Sequence, residues 1–370
     1  MSRIALLIHS LDEIGGAERQ LLHLAHGLAQ RHHSVTVIVL FGTGGDVATD
    51  LRTSGIELLA LQMRGRWIDP RGWLRYLRWH RSNRPQIVHA HLASATFFAR
   101  FVRLIAPVPV VVDTFHSSAP GQFRRRLLYR LTSGLTQRLT AVSHAVAQSL
   151  LAHRMTPPAK LSILPNGIPL PRLAPAPVTL TGTFQWLAVG RLVPLKDYPT
   201  LLHAFATLPE HPRLTIAGAG TEESALRELA ASLNIAHRVH FAGFVADTAT
   251  LFATANAFVL SSRWEGLPLG PLEAAAHSLP VVATDGPGTR DTILLDASAA
   301  SGILVPIADP PALASAMASL MHLSPADRQA MGARGRAFVE ANYSLDGILD
   351  QWEDLYRQLL AAHPNPTRRA

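Results

Sequence analysis

One stretch, residues 257–284 (AFVLSSRWEGLPLGPLEAAAHSLPVVAT), constrains the fold of this chain most strongly. It begins and ends with short apolar runs, AFVL and PVVA, which are typical of strands buried on both faces of a parallel sheet. Between them, a loop rich in glycine and proline leads into an alanine-rich segment that favours a helix, with Pro271 in a first-turn position. A strand, a helix and a second strand in this order predict an α/β domain with a parallel sheet.

Two acidic residues frame the loop of this stretch. Glu265 lies on the loop, and Glu273 falls in the first turns of the predicted helix. Ligands of open α/β sheets bind at the carboxyl ends of strands, where helix N-termini point at them. We therefore expect the amides of Leu269 and Gly270 to be unpaired donors at the positive end of a helix dipole. Carboxylates beside such donors favour a ligand with both an anion and sugar hydroxyls, such as a nucleotide sugar.

The segment EGLPLGPLE, followed by AAAHSLPVVAT, resembles the E-x7-E signature of the retaining family 4 glycosyltransferases, which have the GT-B fold. The resemblance implies two Rossmann-like, doubly wound domains with the nucleotide-sugar donor in the cleft between them. It implies that Glu265 contacts the donor sugar and that Glu273 binds the ribose hydroxyls. The loop between the acids completes this part of the donor-binding set: Gly266, Leu267, Pro268, Leu269 and Gly270. Pro268 departs from the family's usual glycine and removes one amide donor.

Two cations follow the first predicted strand of the second half. The segment WLAVGRLVPLKD places Arg191 and Lys196 after a buried strand. Two cations beside a βα loop can clamp a diphosphate, because together they balance the charge that builds on the leaving group. The resemblance agrees, since VGRLxxxK binds the nucleotide diphosphate in this family. It also assigns the turn at Gly218 and the pair Phe244–Val245 to the nucleobase region.

The first half of the chain starts with the same order of strand, glycine loop and helix. Gly15 and Gly16 follow a predicted strand and precede apolar residues with a helical period. The resemblance assigns this turn to the donor diphosphate and the reacting sugar, although the glycines are also consistent with a tight turn alone. His116, in the segment TFHS, matches a family position near the transferred sugar. An HxH pair, His89 and His91, invites a metal interpretation, but no carboxylate lies at ligand spacing.

The domain organisation follows from strand and linker patterns. Prolines and glycines across residues 165–183 interrupt any periodicity and predict a linker, with the boundary near Ala174. Seven predicted strands precede the linker and six follow it, alternating with helical or loop segments. We therefore predict an acceptor-binding domain over residues 1–174 and a nucleotide-sugar-binding domain over residues 175–344. An amphipathic helix over residues 345–361 is expected to pack back on the first domain.

The chain is basic, with a net charge of +8, which favours anionic partners. Residues 64–84 carry seven arginines interleaved with tryptophans and a tyrosine, and residues 123–130 repeat the theme with four arginines. Such basic aromatic segments are typical of membrane-surface elements. The alternative is a solvated helix whose tryptophans pack on the domain. No nucleic-acid-binding motif accompanies the charge, so no nucleic acid partner is predicted.

The amino-acid composition and the apolar residues near the N-terminus indicate the cellular compartment of the protein. There are no cysteines, which excludes disulfides and thiolate metal sites. No apolar run reaches the roughly 18 residues of a transmembrane helix, and the N-terminal apolar run is too short for a signal peptide. We expect a cytoplasmic protein, peripheral on the inner face of the cell membrane. The acceptor that we expect there is a lipid-linked diphosphate glycan or a lipopolysaccharide precursor.

The resemblance implies transfer with retention of anomeric configuration by front-face attack, the leaving phosphate taking the acceptor proton. The sequence contains no D-x-D metal–diphosphate motif, so we predict neither metal nor cofactor. UDP is expected over GDP or ADP because it is the commonest nucleotide in the family. The nearest alternative is another GT-B enzyme, an epimerase or a phosphorylase. An NAD-dependent oxidoreductase lacks its GxGxxG with a following acid, and an inactive nucleotide-sugar-binding protein would have lost the clamp or the acids.

Overall fold

The computed structural model describes residues 1–45, 47–119, 121–172, 182–296 and 299–364. The chain folds into two units and passes between them twice. Unit 1 comprises Met1–Gly167 and Leu345–Ala370, and unit 2 comprises Ile168–Ser344. The boundary predicted near Ala174 lies outside the described residues.

The described residues form thirteen strands, and each overlaps an apolar run that the sequence predicted. Their bounds are β1 (Arg3–Ile8), β2 (Ser34–Val39), β3 (Glu57–Ala60), β4 (Ile87–His91), β5 (Val110–Phe115), β6 (Arg138–Ala141), β7 (Leu161–Ile163), β8 (Gln185–Val189), β9 (Arg213–Ala217), β10 (Val239–Gly243), β11 (Ala257–Leu260), β12 (Val281–Thr284) and β13 (Gly302–Val305). Apolar runs of this length mark strands that are covered on both faces.

The same residues form thirteen α-helices. Their bounds are α1 (Gly16–Gln30), α2 (Val47–Thr53), α3 (Pro70–Asn83), α4 (Ala93–Val102), α5 (Phe123–Thr132), α6 (His144–Ala152), α7 (Tyr198–Ala206), α8 (Glu223–Ser232), α9 (Ala249–Thr254), α10 (Leu269–Ala276), α11 (Pro310–His322), α12 (Pro325–Tyr343) and α13 (Leu345–Ala362). Helices thus alternate with strands through most of the chain, as βα units require.

Each unit is built on one parallel sheet. The strand order is β3-β2-β1-β4-β5-β6-β7 in unit 1 and β10-β9-β8-β11-β12-β13 in unit 2. In each sheet the order reverses beside the first strand, so β1 and β4, or β8 and β11, flank a topological switch point. Ligands of doubly wound sheets bind there, outside the carboxyl ends of the strands. The predicted architecture, two doubly wound parallel-sheet domains, is confirmed.

Separate apolar clusters cover the two faces of the unit 1 sheet. On one face, α1 contributes Leu21, Leu24 and Leu28, and α13 contributes six buried residues at helical spacing: Ile348, Leu349, Trp352, Leu355, Tyr356 and Leu359. The other face is covered by α3 and α4. The polar edge of α13 is also held, because Arg31 and His33 both hydrogen-bond to Glu353 at 2.7 Å. The last described helix is therefore part of the core of unit 1.

The aromatic residues of segment 64–84 pack inward. Tyr76 and Trp79 are buried, and the Trp79 indole donates to Glu57 Oε2 at 3.1 Å. Trp67 and Trp73 pack against the same cluster, with Trp73 Nε1 donating to the Trp67 carbonyl at 2.9 Å. The tryptophans of this segment therefore pack on the domain, which is the alternative to a membrane-surface segment. Among the described residues, no helix is long and apolar enough to cross a membrane.

The packing of α13 makes a stability prediction. Leu349 is 2% exposed and fills the space beside Gly27 of α1. We expect Leu349→Ala to lower the free energy of unfolding by about 2–5 kcal/mol, because it leaves a cavity in the core. Urea denaturation of this variant should be compared with Gln358→Ala, an exposed position on the same helix, for which a change within about 0.5 kcal/mol is expected. Equal effects would contradict the packing of α13.

Candidate active site

An ion pair joins the two predicted chemical groups of unit 2. Lys196 lies on a 3₁₀ turn, Pro194–Lys196, that follows β8, and Glu265 lies on the loop that follows β11. Lys196 Nζ donates to Glu265 Oε1 at 2.6 Å, and the side chains are only 16% and 13% exposed. The Ser262 hydroxyl donates to the same carboxylate oxygen at 2.8 Å. A charge-assisted contact of this length is strong, and it fixes where both charges lie.

Close backbone packing positions Lys196. A Cβ added at Gly190 would lie 2.9 Å from Lys196 Cε, so this glycine leaves room for the lysine to fold over the end of β8. The Tyr198 hydroxyl donates to the Gly190 carbonyl at 3.0 Å, and Ser261 Oγ donates to the Lys196 carbonyl at 2.8 Å. Gly218 is required too, because a Cβ there would lie 2.0 Å from the Gly190 oxygen.

The loop after β12 supports the loop that carries Glu265. The Glu265 amide donates to the Pro287 carbonyl at 2.8 Å, and Thr284 Oγ1 donates to the Ser262 carbonyl at 2.5 Å. Gly288 has φ +82°, and a Cβ there would lie 2.6 Å from the Glu265 carbonyl oxygen. A glycine is therefore needed both for the backbone conformation and for the close approach of the two loops.

The E-x7-E segment forms the loop and helix that the sequence predicts. Pro268 precedes α10 as its N-cap, and Leu269 and Gly270 are the first two helical residues, with Leu267 buried beneath the loop. Glu273 is half-buried on α10. Gly270 lies against the Phe258 ring, which a Cβ would approach to 2.7 Å. The missing amide of Pro268 is at the N-cap, so the amides of Leu269 and Gly270 remain at the positive end of the helix.

The remaining donor-site candidates lie along the same edge of the sheet. Arg191 follows β8 and is exposed, and no carboxylate among the described residues pairs with it. Gly218 follows β9, while Phe244 and Val245 follow β10, with Phe244 68% exposed. The carboxyl ends of β10, β9, β8 and β11 are neighbours in the sheet. All the unit 2 candidates thus lie along one edge of the sheet, and Arg191, Lys196 and Glu265 follow the two strands that flank the switch point.

The glycine loop of unit 1 differs from a simple anion-binding turn. The Gly15 amide donates to Glu18 Oε2 at 3.1 Å, so a carboxylate already lies at the start of α1. Gly15 has φ −103°, an ordinary value for any residue. Its role is to leave space, since a Cβ would lie 2.8 Å from Glu18 Oε2. Gly16, the first helical residue, is exposed.

His116 belongs to a cluster of three histidines at the carboxyl ends of β4 and β5. His91 Nδ1 lies 2.9 Å from His116 Nε2 in a shared hydrogen bond. His89 hydrogen-bonds to the Tyr356 hydroxyl at 2.7 Å and to Thr114 Oγ1 at 2.6 Å. Burial lowers the pKa of His89 to about 3 and that of His116 to about 4. Burial also holds the pKa of His91 well below its usual value, so all three rings are neutral at pH 7.

Two further carboxylates near the unit 2 strand ends are paired with arginines. Asp197 Oδ2 lies 3.1 Å from Arg263 Nε, and Asp285 forms a bidentate contact with Arg290. Within the described ranges, no group of three or more histidine, aspartate or glutamate side chains is arranged to hold a metal ion. In the HxH pair, both ring nitrogens of His89 and one of His91 are hydrogen-bonded to neighbouring side chains.

Sequence reasoning missed the residues that hold the ion pair. Ser261, Ser262 and Tyr198 contact Lys196, Glu265 or the backbone beside them. The two serines follow β11 directly, where polar side chains gather in α/β proteins, so their position was an available signal. Tyr198 is a buried helix residue, and nothing in its local sequence indicates that its hydroxyl reaches Gly190.

The fold and the unit 2 edge define a class: an α/β protein of two doubly wound domains, with charged side chains gathered at the switch point of the second domain. Two family models match the chain. Glycosyltransferase Family 4 covers residues 14–172, and glycosyl transferases group 1 covers residues 177–338. The chain therefore belongs to the family 4 glycosyltransferases of the GT-B fold, and it is a glycosyltransferase that acts on nucleotide sugars.

Similar proteins and solved structures are consistent with this family. The lipopolysaccharide core biosynthesis glycosyltransferase LpsE of Rhizobium meliloti is 28% identical over 95% of this chain and 97% of its own length. A Mycobacterium tuberculosis GDP-mannose-dependent alpha-(1-6)-phosphatidylinositol monomannoside mannosyltransferase is 31% identical over 63% of this chain and 64% of its own. The crystal structure of Anabaena Alr3699/HepE in complex with UDP matches with a TM-score of 0.82 at 19% identity, covering 96% of this chain and 100% of that one. At that identity, the structural match establishes the fold.

The neutral histidine cluster predicts sensitivity to acid. Its folded-state pKa values lie below the ordinary value of 6.5, so protonation favours the unfolded chain. The contribution of the neutral histidines to the free energy of unfolding is fully present above pH 6.5 and is lost as the pH falls towards 4. Between pH 7 and pH 5 we expect a loss of about 2 kcal/mol for each histidine that stays neutral. Urea denaturation at several pH values should show this loss, and His89→Gln should have a shallower pH dependence; parallel curves would contradict the assignment.

Proposed function

We propose that this glycosyltransferase moves a sugar from a UDP-sugar to a lipid-linked glycan or lipopolysaccharide precursor, with retention of anomeric configuration and without a metal ion. The observation that carries the proposal is the Lys196–Glu265 pair, which places a cation and a carboxylate together at the β8 and β11 ends. A nucleotide sugar carries the matching groups, a diphosphate bonded directly to a sugar. Lys196 therefore binds the diphosphate, and Glu265 binds hydroxyls of the transferred sugar.

Arg191 supplies the second positive charge. Its guanidinium is exposed beside the same strand end as Lys196. Planar guanidinium donors match two phosphate oxygens, whereas the lysine acts as a point charge. As the bond between the sugar and the phosphate breaks, negative charge grows on the leaving diphosphate, and the two cations stabilise that charge. In glycosyltransferases with a D-x-D motif, a bound metal ion stabilises this charge. The present sequence contains no D-x-D motif.

The other residues of the donor set hold the nucleoside. Glu273 on α10 binds the ribose hydroxyls, and the loop from Gly266 to Gly270 lies between the two acids. Phe244 exposes a ring at the end of β10, where it can stack on the nucleobase, with Val245 and Gly218 beside it. In unit 1, His116 as a neutral imidazole hydrogen-bonds to the transferred sugar, and the Gly15–Gly16 turn receives the donor once Glu18 releases the Gly15 amide.

Retention is supported by where the carboxylates are engaged. Glu265 is paired with Lys196. Asp197 and Asp285, which follow β8 and β12, are paired with arginines. A front-face attack needs no protein nucleophile, because the leaving phosphate oxygen accepts the proton of the acceptor hydroxyl. The new bond forms on the face that the leaving group vacates, so the anomeric configuration is kept.

Ligand-induced thermal stabilisation tests the donor. UDP is the first choice because HepE was crystallised with it, and GDP is included because the mannosyltransferase relative takes GDP-mannose. At about 100 times its dissociation constant, UDP should add roughly 2.7 kcal/mol to the free energy of unfolding. The shift should survive EDTA and should disappear in Glu273→Ala but not in Glu228→Ala, an exposed glutamate on α8.

Three outcomes of this screen would contradict parts of the proposal. A thermal shift with GDP alone would show that the donor nucleotide is GDP and not UDP. Loss of the UDP shift in EDTA would show that binding needs a metal ion. An unaltered shift in Glu273→Ala would show that Glu273 does not bind the ribose. With the donor sugar identified, the coupling constant of the anomeric proton in the first-formed product should match that of the donor. An inverted anomer would overturn the front-face mechanism.

A membrane location is supported by α5 rather than by the tryptophan-rich segment. Phe123, Leu127 and Leu131 are spaced by four residues, so they share one helix face, and they are 70%, 42% and 72% exposed. Arg124, Arg125 and Arg130 are exposed beside them. An apolar stripe flanked by cations matches the interface of an anionic bilayer, where the apolar groups insert and the arginines meet lipid phosphates. We therefore place the acceptor at that surface.

Vesicle co-sedimentation tests α5. The protein should bind vesicles containing phosphatidylglycerol, bind phosphatidylcholine vesicles weakly, and lose binding at high salt. The double substitution Leu127→Ser and Leu131→Ser should reduce binding several-fold. The control is Ile68→Ser and Leu74→Ser, two residues of the other arginine-rich segment that are 56% and 53% exposed. If the control reduces binding as much as the α5 variant, α5 is not the contact.

A further inference from the structure

The histidine cluster contains a contact that the proposed mechanism does not use. His91 ends β4, His116 follows β5, and the two strands are neighbours with His91 in register with Thr114. The two imidazoles share the 2.9 Å hydrogen bond between His91 Nδ1 and His116 Nε2, and their rings stack with centroids 5.2 Å apart. One ring nitrogen of His116 is therefore committed to His91.

The other two nitrogens of this pair have no hydrogen-bond partner among the described residues. They are His91 Nε2 and His116 Nδ1, and both atoms are shielded from solvent. His91 and His116 also line a small cavity of unit 1, of about 20 Å³, together with Gln20, Asn166 and Trp352. A buried polar atom without a partner costs free energy, and such atoms in a native protein call for an explanation.

His91 is itself held rigidly. It is 3% exposed, and its ring lies 4.2 Å, between centroids, from that of His89. His89 has both ring nitrogens engaged, by Tyr356 of α13 and Thr114 of β5, and it packs against Trp352. The core of unit 1 thus fixes the ring orientation of His89. His91 packs against His89, and His116 is hydrogen-bonded to His91.

Two neutral imidazoles that share one hydrogen bond have coupled tautomers. If His91 Nδ1 carries the proton, His116 Nε2 accepts it, and the proton of His116 is on Nδ1. If the proton of the bond belongs to His116, its Nδ1 is an acceptor instead. The tautomer of one ring therefore fixes that of the other, and with it whether His116 Nδ1 is a donor or an acceptor.

We propose that His91 is a positioning residue, which fixes the ring orientation and the tautomer of His116. The proposal rests on the function proposed above, in which His116 contacts the transferred sugar. It gives the HxH pair a role that needs no metal.

A double-mutant cycle tests the proposal, with kcat and donor KM measured for His91→Leu, His116→Leu and the double variant. His91→Leu should lower kcat by about 10- to 100-fold with little change in KM, as expected when a reacting group is misplaced. His91→Asn should restore most of the activity, because its amide can still hydrogen-bond to His116. In the His116→Leu background, His91→Leu should have no further effect. Multiplicative losses would overturn the proposal.

Controls separate this proposal from the one on which it rests. His80→Leu, a half-buried histidine on α3 away from the cluster, should leave kcat unchanged. If His116→Leu leaves activity intact, the role of His116 fails. If His116→Leu lowers activity and His91→Leu does not, only the positioning role fails.

A measurement on the unaltered protein covers the case in which His91→Leu does not fold. In long-range proton–nitrogen correlation spectra of the ¹⁵N-histidine-labelled protein at pH 7, the His116 ring should show a single tautomer. The ring is assigned from the spectrum of His116→Leu. A mixture of the two tautomers in wild type would overturn the proposal.

Discussion

The ion pair between Lys196 and Glu265 is the interaction on which the rest of the unit 2 site depends. Its two members come from loops that follow different strands, β8 and β11, and the 2.6 Å contact holds those loops together. Removing one member of a largely buried pair leaves an uncompensated charge, which costs much more than the pair contributes. The surrounding glycines and hydroxyls follow from this requirement. Gly190 makes room for the lysine, Gly218 makes room for the Gly190 carbonyl, and the Ser262 hydroxyl donates to the carboxylate.

The same topology explains why the functional residues of both units gather at strand ends. In each sheet the strand order reverses beside the first strand, and the predicted site residues follow the strands on either side of the reversal or their neighbours. In unit 1, Gly15 follows β1 and His91 is the last residue of β4. In unit 2, Arg191 follows β8 and Glu265 follows β11. Parallel sheets buried on both faces leave these edges as places where polar side chains remain accessible.

The sequence predicted the strands well because strands buried on both faces are continuous apolar runs, and those runs are local. It also predicted that Glu265 and Lys196 act in one site, through the resemblance of their motifs to a family. Their direct contact spans 69 residues of sequence and depends on sheet order, which no local pattern contains. The pairing of His91 with His116 was missed for the same reason. The tryptophans of segment 64–84 were placed ambiguously, because a helical spacing of aromatics fits a core and a lipid surface equally well.

Calorimetric titration of UDP and GDP into wild type, Lys196→Gln and Glu265→Gln tests the central claim most directly. If the ion pair is the diphosphate site, Lys196→Gln should weaken binding of the preferred nucleotide by about tenfold or more, a loss of roughly 1.4 kcal/mol. Glu265→Gln should instead tighten it, because the carboxylate that shares the lysine has been neutralised. The opposite signs are the decisive result. Binding that is unchanged in Lys196→Gln, or weakened equally by both substitutions, would contradict the account.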